Sequence, residues 1–265
     1  MDKLLQKQLA NIKKKEDKIL NKPKNPLMKQ KVTPIIQKVE AKIPVKLKDV
    51  LETAFYKGFQ LVFEKGNVII EKTYNKEKLQ LQYDLNNYAV DRKLIRKHVK
   101  NMDKPSNQSN FMNSMISLVE GSVLGVLGIG LPDIPLFIAV IMKTIYEIAL
   151  SYGYNYDSDE EKVYILLLLC AAMTKEDIQK DYNNQLESLG EEIDHHLKAD
   201  VHLDKQIKIT SVVLSDMLLT AKFVQGLPIV GAVGGFVNHS IIKKIGKYSA
   251  IKYKKRYLQK KLKGI

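Results

Sequence analysis

The hydrophobic positions of this chain recur almost everywhere at helical spacing. Near the N-terminus Leu4, Leu5, Leu9, Ile12 and Ile19 make one amphipathic helix before Pro23. From Lys48 onward, Val50, Leu51, Ala54, Phe55, Gly58, Phe59, Val62 and Phe63 fall on one helical face, and Lys65-Gly66-Asn67 ends it. A hairpin folding Gln60–Phe63 onto Val68–Ile70 competes with that helix over a shorter stretch. Leu85 to Val99 predicts a further helix with Tyr88, Val90, Leu94 and Ile95 on its apolar side, and Phe111 to Gly121 starts the next.

The most apolar stretch is Gly121 to Tyr154. It opens with glycines, breaks at Leu131-Pro132-Asp133-Ile134-Pro135, and resumes as a helix expected over Ile134 to Tyr152, with Gly153 as its stop. Asp133 is the expected N-cap, and Pro135 falls in the first turn, where a missing N–H costs nothing. Asp133 is the one charge between Gly121 and Met142. That length suits a bilayer, but an acid there would cost about 2.5–3.5 kcal/mol in hydrocarbon. Membrane contact and a tightly packed core both stay open.

Ser158-Asp159-Glu160-Glu161 reads as a capping box for a helix through Met173, whose apolar run is too short to span a bilayer. Thr174 is the expected cap of a polar helix reaching Leu197. Thr210 to Leu219 and Phe223 to Ile242 complete the apolar material, and Lys243 to Ile265 reads as a basic helix. Gly226-Leu227-Pro228 echoes Gly130-Leu131-Pro132, and Gly231 and Gly235 repeat the spacing of Gly121 and Gly125, which lets helices approach closely. The expected fold class is all-α, a helical bundle with two Gly/Pro-interrupted apolar hairpins. Residues 1–44 are expected to form a basic, Pro-punctuated arm, and residues 45–265 a single helical domain with a basic C-terminal helix.

Charge sharpens this picture. The net charge of +14 sits at the two ends: residues 1–50 carry +9, residues 241–265 carry +10, and the body between them −5. Basic ends on a near-neutral body suit an anionic surface, nucleic acid or inner-leaflet lipid. On the C-terminal helix Lys243, Lys244, Lys247, Lys252, Lys254, Lys255, Arg256, Lys260 and Lys261 are the expected membrane-facing cations. Tyr248, Ile251, Tyr257 and Leu258 are interleaved as on a helix lying in a membrane interface. Helix-turn-helix spacing and an aromatic RNA-binding signature are missing, which argues against nucleic acid. The charged N-terminus has no secretory pattern, and the single cysteine suits a reducing cytoplasm.

Candidate chemistry is sparse. Glu192-Ile193-Asp194-His195 has the E-x-x-H spacing of a di-metal bundle, but such a bundle needs two of these motifs, so a solvated polar helix is the simpler reading. Cys170 lies in an apolar run and reads as core. Glu147 stands four residues after Lys143, so an ion pair is the simple reading and a ligand-binding acid pair with Asp133 the sharper one. No catalytic residue, metal or cofactor is expected.

Several segments together resemble the EcsC protein family: Gly130-Leu131-Pro132-Asp133-Ile134-Pro135, Ile145-Tyr146-Glu147-Ile148, Tyr152-Gly153-Tyr154, Leu227-Pro228-Ile229-Val230-Gly231-Ala232-Val233-Gly234, Asn238, and Tyr253 to Leu258. Phe63 to Gly66 and Ile70 to Tyr74 are similar to its N-terminal part. The resemblance covers residues 45–260. The family is named for the third gene of a bacterial operon whose other two products form an ABC transporter, so the resemblance implies a transporter as partner and assigns no catalytic residues. Gly130, Pro132, Asp133, Pro135, Glu147, Tyr152, Gly153, Tyr154, Gly226, Pro228, Gly231, Gly234 and Asn238 are the motif positions and the candidate ligand or partner contacts. The expectation is a non-enzymatic, peripheral protein on the cytoplasmic face of the membrane. The alternatives are an integral membrane protein with half-inserted hairpins, a hydrolase of unknown substrate, and a nucleic-acid-binding protein.

Overall fold

A computed structural model describes residues 2–21, 43–66, 70–103, 133–225 and 236–264, and every element assigned among them is helical. The helices are α1 (Asp2–Leu20), α2 (Val45–Leu61), α3 (Lys76–Arg92), α4 (Arg96–Asn101), α5 (Asp133–Ser151), α6 (Asp159–Met173), α7 (Glu176–Asp194), α8 (Leu203–Gln225) and α9 (Phe236–Lys263). A π-helical turn, Val62–Gly66, prolongs α2, so helix replaces the hairpin there. The family's first glycine-rich segment, with Gly130 and Pro132, and the second, with Gly226, Pro228, Gly231 and Gly234, lie outside the described residues. So do the side chains of Asp133 and Asn238, and the helix expected from Phe111.

Three helices form the centre: α5 and α6 are apolar on nearly every side, while α9 mixes apolar residues with lysines and Arg256. In α5, the stretch Ile134–Ser151 has a mean hydropathy of 1.7 and the length to cross a membrane, yet 89% of it is buried inside the protein. It packs against α2, α3 and α9. α6 packs against α7, α8 and α9, and α9 also carries α1 on its outer side. α5 and α9 run parallel: Gly246 faces Thr144 and Ile148, and further along Tyr253 meets Tyr154 just past the end of α5.

Local sequence explains the joints. α2 buries Leu51, Ala54, Phe55, Gly58 and Phe59, the helical spacing expected of it. Gly58 lets α5 come close, since a Cβ there would stand 2.5 Å from Ile138 Cδ1. Gly153 ends α5 at φ +81°, with Tyr154 N–H donating to Ala149 O and Gly153 N–H to Leu150 O, both at 3.0 Å. That is a Schellman stop, and only glycine adopts its backbone without strain. Ser158 Oγ caps α6 by accepting from Glu161 N–H at 3.2 Å. Glu161 does not complete the box, because its carboxylate is used elsewhere.

Three expectations need correction. The helix expected over Leu85 to Val99 instead starts at Lys76, capped by Asn75 accepting from Lys78 N–H at 2.7 Å, and breaks at Lys93–Ile95. Of its expected apolar side Tyr88 is exposed, whereas Val90 is buried. Thr174 does not cap α7; its hydroxyl donates to Cys170 O at 2.7 Å and closes α6. Finally, the amphipathic helix expected within the basic arm of residues 1–44 docks on the body. Leu5, Ile12 and Glu16 are buried as α1 lies along α9.

Candidate functional site

The charges between Ile251 and Leu258 of α9 do not form a surface. All residues from Ile251 to Leu258 are buried, which no helix lying on a membrane can achieve. Burying four cations there requires partners, because an unpaired charge in the interior is costly. The fold supplies them from four other elements.

Arg256 is the centre of the first cluster. Its Nη1 donates to both oxygens of Glu161 at 2.9 and 3.1 Å, while Nη2 and Nε donate to the two oxygens of Asp194 at 2.8 and 3.0 Å. The rings of Tyr154 and Tyr164 stand 4.2 and 4.3 Å from the guanidinium carbon. Both fork edges are therefore used for carboxylates and the planar faces for aromatic rings, a set of contacts lysine cannot make. Burial pushes the Glu161 carboxyl above its usual range, and the guanidinium works against that shift. The cluster ties α6, α7 and α9 to the turn after α5.

The second cluster docks α1. Lys252 donates to Glu16 at 2.5 Å, to Asn183 at 2.8 Å and to Glu187, while Lys255 bonds Glu16 and Glu187, each at 2.6 Å. Tyr248 OH donates to the same Asn183 oxygen at 2.7 Å. Burial alone would raise Glu187, but the two ammonium groups hold its carboxyl below its ordinary value. Lys254 donates to both oxygens of Asp103 at 2.7 Å, and Tyr152 OH donates to that carboxylate at 2.8 Å. Lys261 pairs with Asp91 at 2.7 Å.

A third set lies beside α5. Lys143 Nζ donates to Thr73 O at 2.8 Å and stands 3.3 Å from Glu147, the expected i, i+4 pair. Burial lowers Lys143 and raises Glu147, and each partner opposes the other's shift. Nearby, Tyr156 OH donates to Glu71 at 2.6 Å and lies 2.5 Å from Tyr74 OH, while the Tyr156 ring stacks on Tyr146 at 3.7 Å. Tyr152 and Tyr154 therefore contact charged groups, Gly153 sets the turn between them, and Pro135 is a buried first-turn residue.

Lys252, Lys254, Lys255 and Arg256, read from the sequence as membrane-facing, are thus corrected to buried structural cations. Lys260 is half-buried, and Lys243, Lys244 and Lys247 are exposed on the N-terminal half of α9. What the sequence reading missed is where the outward cations lie. Lys3, Lys7, Lys14 and Lys18 form one stripe on α1 opposite Leu5, Ile12 and Glu16, all four exposed. Spacings of four, seven and four residues keep them in line at 3.6 residues per turn. None of the four is in an ion pair among the described residues. Their helical phase was readable in the sequence; the docking of α1 on the body was not.

No group of three or more His, Cys, Asp and Glu residues with the arrangement of a metal site occurs among the described residues. Asp194 of the E-x-x-H stretch serves Arg256, and His195 is exposed. Cys170 is buried beside Thr210 Oγ1 at 3.4 Å, and burial pushes its thiol up to about 12. At that value it is not a thiolate nucleophile near neutral pH.

The profile of the EcsC protein family matches residues 6–258. Protein EcsC of Bacillus subtilis (strain 168) is 24% identical over 212 residues, covering 79% of this chain and 78% of that protein. No solved structure matches. The match begins within α1, not at residue 45, in agreement with the docking of that helix on α9.

Proposed function

Because the chain belongs to the EcsC protein family, we propose that it is a non-enzymatic accessory protein that works on the anionic inner face of the cell membrane, in association with an ABC transporter. The observation that carries this reading is the lysine stripe of α1, held outward on a folded body by the Glu16 pairs beneath it. A rigid row of ammonium groups meets a negatively charged leaflet without the ordering cost of a mobile arm. Each lysine near such a surface contributes about 1 kcal/mol. The transporter partnership rests on the operon after which the family is named. The burial of α5 favours a peripheral protein over one that spans the bilayer with that helix.

Flotation with vesicles tests the reading. The expected result is binding that needs anionic lipid, disappears at high salt, and weakens on the order of a hundredfold in K3Q/K7Q/K14Q. Salt-resistant binding would assign the contact to inserted hairpins. Salt-sensitive binding to DNA with none to vesicles would assign it to nucleic acid. Cross-linking in membranes, followed by identification of the captured transporter subunit, tests the partnership.

A further inference from the structure

Where the lysine stripe ends, the surface opens into a groove of about 770 Å³ between the C-terminal end of α1, the α6–α7 turn and the N-terminal half of α9. We infer that this groove binds one anionic phospholipid, taking the phosphate on its lysines and the glycerol and first methylenes on the apolar part of its lining. The inference deepens the membrane-surface reading and rests on it for the source of the ligand.

Five lysines from three helices or their junctions line the groove: Lys18, Lys175, Lys180, Lys244 and Lys247. Two acids share the lining, Glu176 and Asp177, and Asp177 stands 3.6 Å from Lys180. Lys18, Lys175 and Lys247 are exposed and form no ion pair among the described residues. The cap position of α7, Lys175, offers no side-chain acceptor to the first backbone N–H groups, so these add to the positive field. Ile19 and Leu20, with the almost fully buried Ala172 and Tyr248, bring apolar atoms to the lining, beside the polar Asn21, Thr174 and Gln179.

Cations beside apolar lining atoms complement an amphiphile better than a bare phosphate, which would leave those atoms wet. The volume falls within the range of sites that enclose a small ligand, about 300–1,000 Å³. Lys18 belongs to both the stripe and the groove, so a protein lying on a membrane by α1 presents the groove to the head groups.

Calorimetric titration of the full chain with short lipids below their micelle concentration separates this site from general surface attraction. The probes are dihexanoyl phosphatidylglycerol, dihexanoyl phosphatidylcholine and glycerol 3-phosphate. Phosphatidylglycerol is expected to bind at one site, at least about tenfold tighter than either of the others. K18Q/K175Q/K247Q is expected to lose on the order of a hundredfold in affinity, and K3Q/K7Q/K14Q to bind the short lipid unchanged. Circular dichroism checks that both variants keep their helices.

No phosphatidylglycerol binding, or equal binding by the groove variant, overturns the site. Glycerol 3-phosphate binding as tightly as the lipid overturns the lipid assignment and gives the groove to a free organic phosphate. Short-lipid binding without vesicle flotation supports the groove and defeats the membrane-surface reading. Flotation without short-lipid binding does the reverse.

Discussion

Replacing Arg256 by Met keeps much of the alkyl volume and removes the guanidinium from between two carboxylates. Glu161 is left with 3% of its side chain exposed and Asp194 with 12%, so water reaches Glu161 scarcely at all and Asp194 only a little. Breaking a buried pair by removing one partner costs about 3–5 kcal/mol. Two desolvated tyrosine faces lose their cation as well, which places the expectation at the upper end. In a domain of this size that corresponds to a melting temperature lower by roughly 10 °C. The assay is urea unfolding followed by circular dichroism, comparing midpoints at unchanged slope. The double variant R256M/E161L leaves only Asp194, the carboxylate nearer to water. It is expected to be more stable than R256M, with a coupling of about 2 kcal/mol or more between the two positions. Additive losses would refute the interaction. So would an R256M protein within about 1 kcal/mol of the wild type, which would return Arg256 to the surface role that the sequence alone suggests. Arg256→Lys adds a second discrimination. A buried role predicts lost stability with vesicle binding kept, because an ammonium can neither bond Asp194 bidentately nor lie flat between the Tyr154 and Tyr164 rings as the planar guanidinium does.

Gly153→Ala places a Cβ at φ +81°, 2.2 Å from the Tyr83 ring, and is expected to cost about 2–4 kcal/mol in the same unfolding assay. The pH dependence of stability follows from Glu187, held below its ordinary value of 4.5 by Lys252 and Lys255 against the effect of burial. A depressed acid binds fewer protons folded than unfolded, so its stabilisation is complete above 4.5 and is lost as pH falls through its folded value. Melting temperatures measured downward from pH 5 should therefore fall less steeply in Glu187→Gln than in the wild type. Tyr156→Phe removes a hydroxyl bonded to both Glu71 and Tyr74 and is expected to destabilise by about 1–3 kcal/mol, read by thermal unfolding.

The elements most legible in the sequence are those whose stop and start signals are local. Gly153 and Ser158 act within a few residues of themselves, and both function as their residue types require. The face of α2 was legible because its burial follows one helical phase. Where the reading failed, a distant partner decided the outcome. Tyr88 has the spacing of a buried face, but no described helix covers that side of α3. In α9 the apolar and basic residues alternate as on an interfacial helix, and the sequence of α9 alone does not say that Glu16, Asp103, Glu161, Glu187 and Asp194 converge on it. One local clue was present. Glu16 follows Ile12 by four residues on the apolar face of α1, and an acid at that phase demands a buried cation elsewhere.

The same placement of charge separates the two kinds of basic residue in this chain. The four buried cations of α9, Lys252, Lys254, Lys255 and Arg256, are met by Glu16 of α1, Asp103 just past α4, Glu161 of α6, and Glu187 and Asp194 of α7, and they specify how those elements meet. Such pairs contribute little net stability over apolar side chains of equal volume, but a wrong arrangement strands a charge in the interior. Their work is therefore to fix the docking of α1, and through it the orientation of Lys3, Lys7, Lys14 and Lys18. The internal charges orient the external ones. If so, Glu16→Gln, which weakens the dock while leaving every surface lysine in place, should lower vesicle affinity without changing net surface cation content. Flotation of that variant beside K3Q/K7Q/K14Q measures this directly. Affinity unchanged in Glu16→Gln would show that the lysines act as a loose chain and that their registration on the fold is irrelevant to binding.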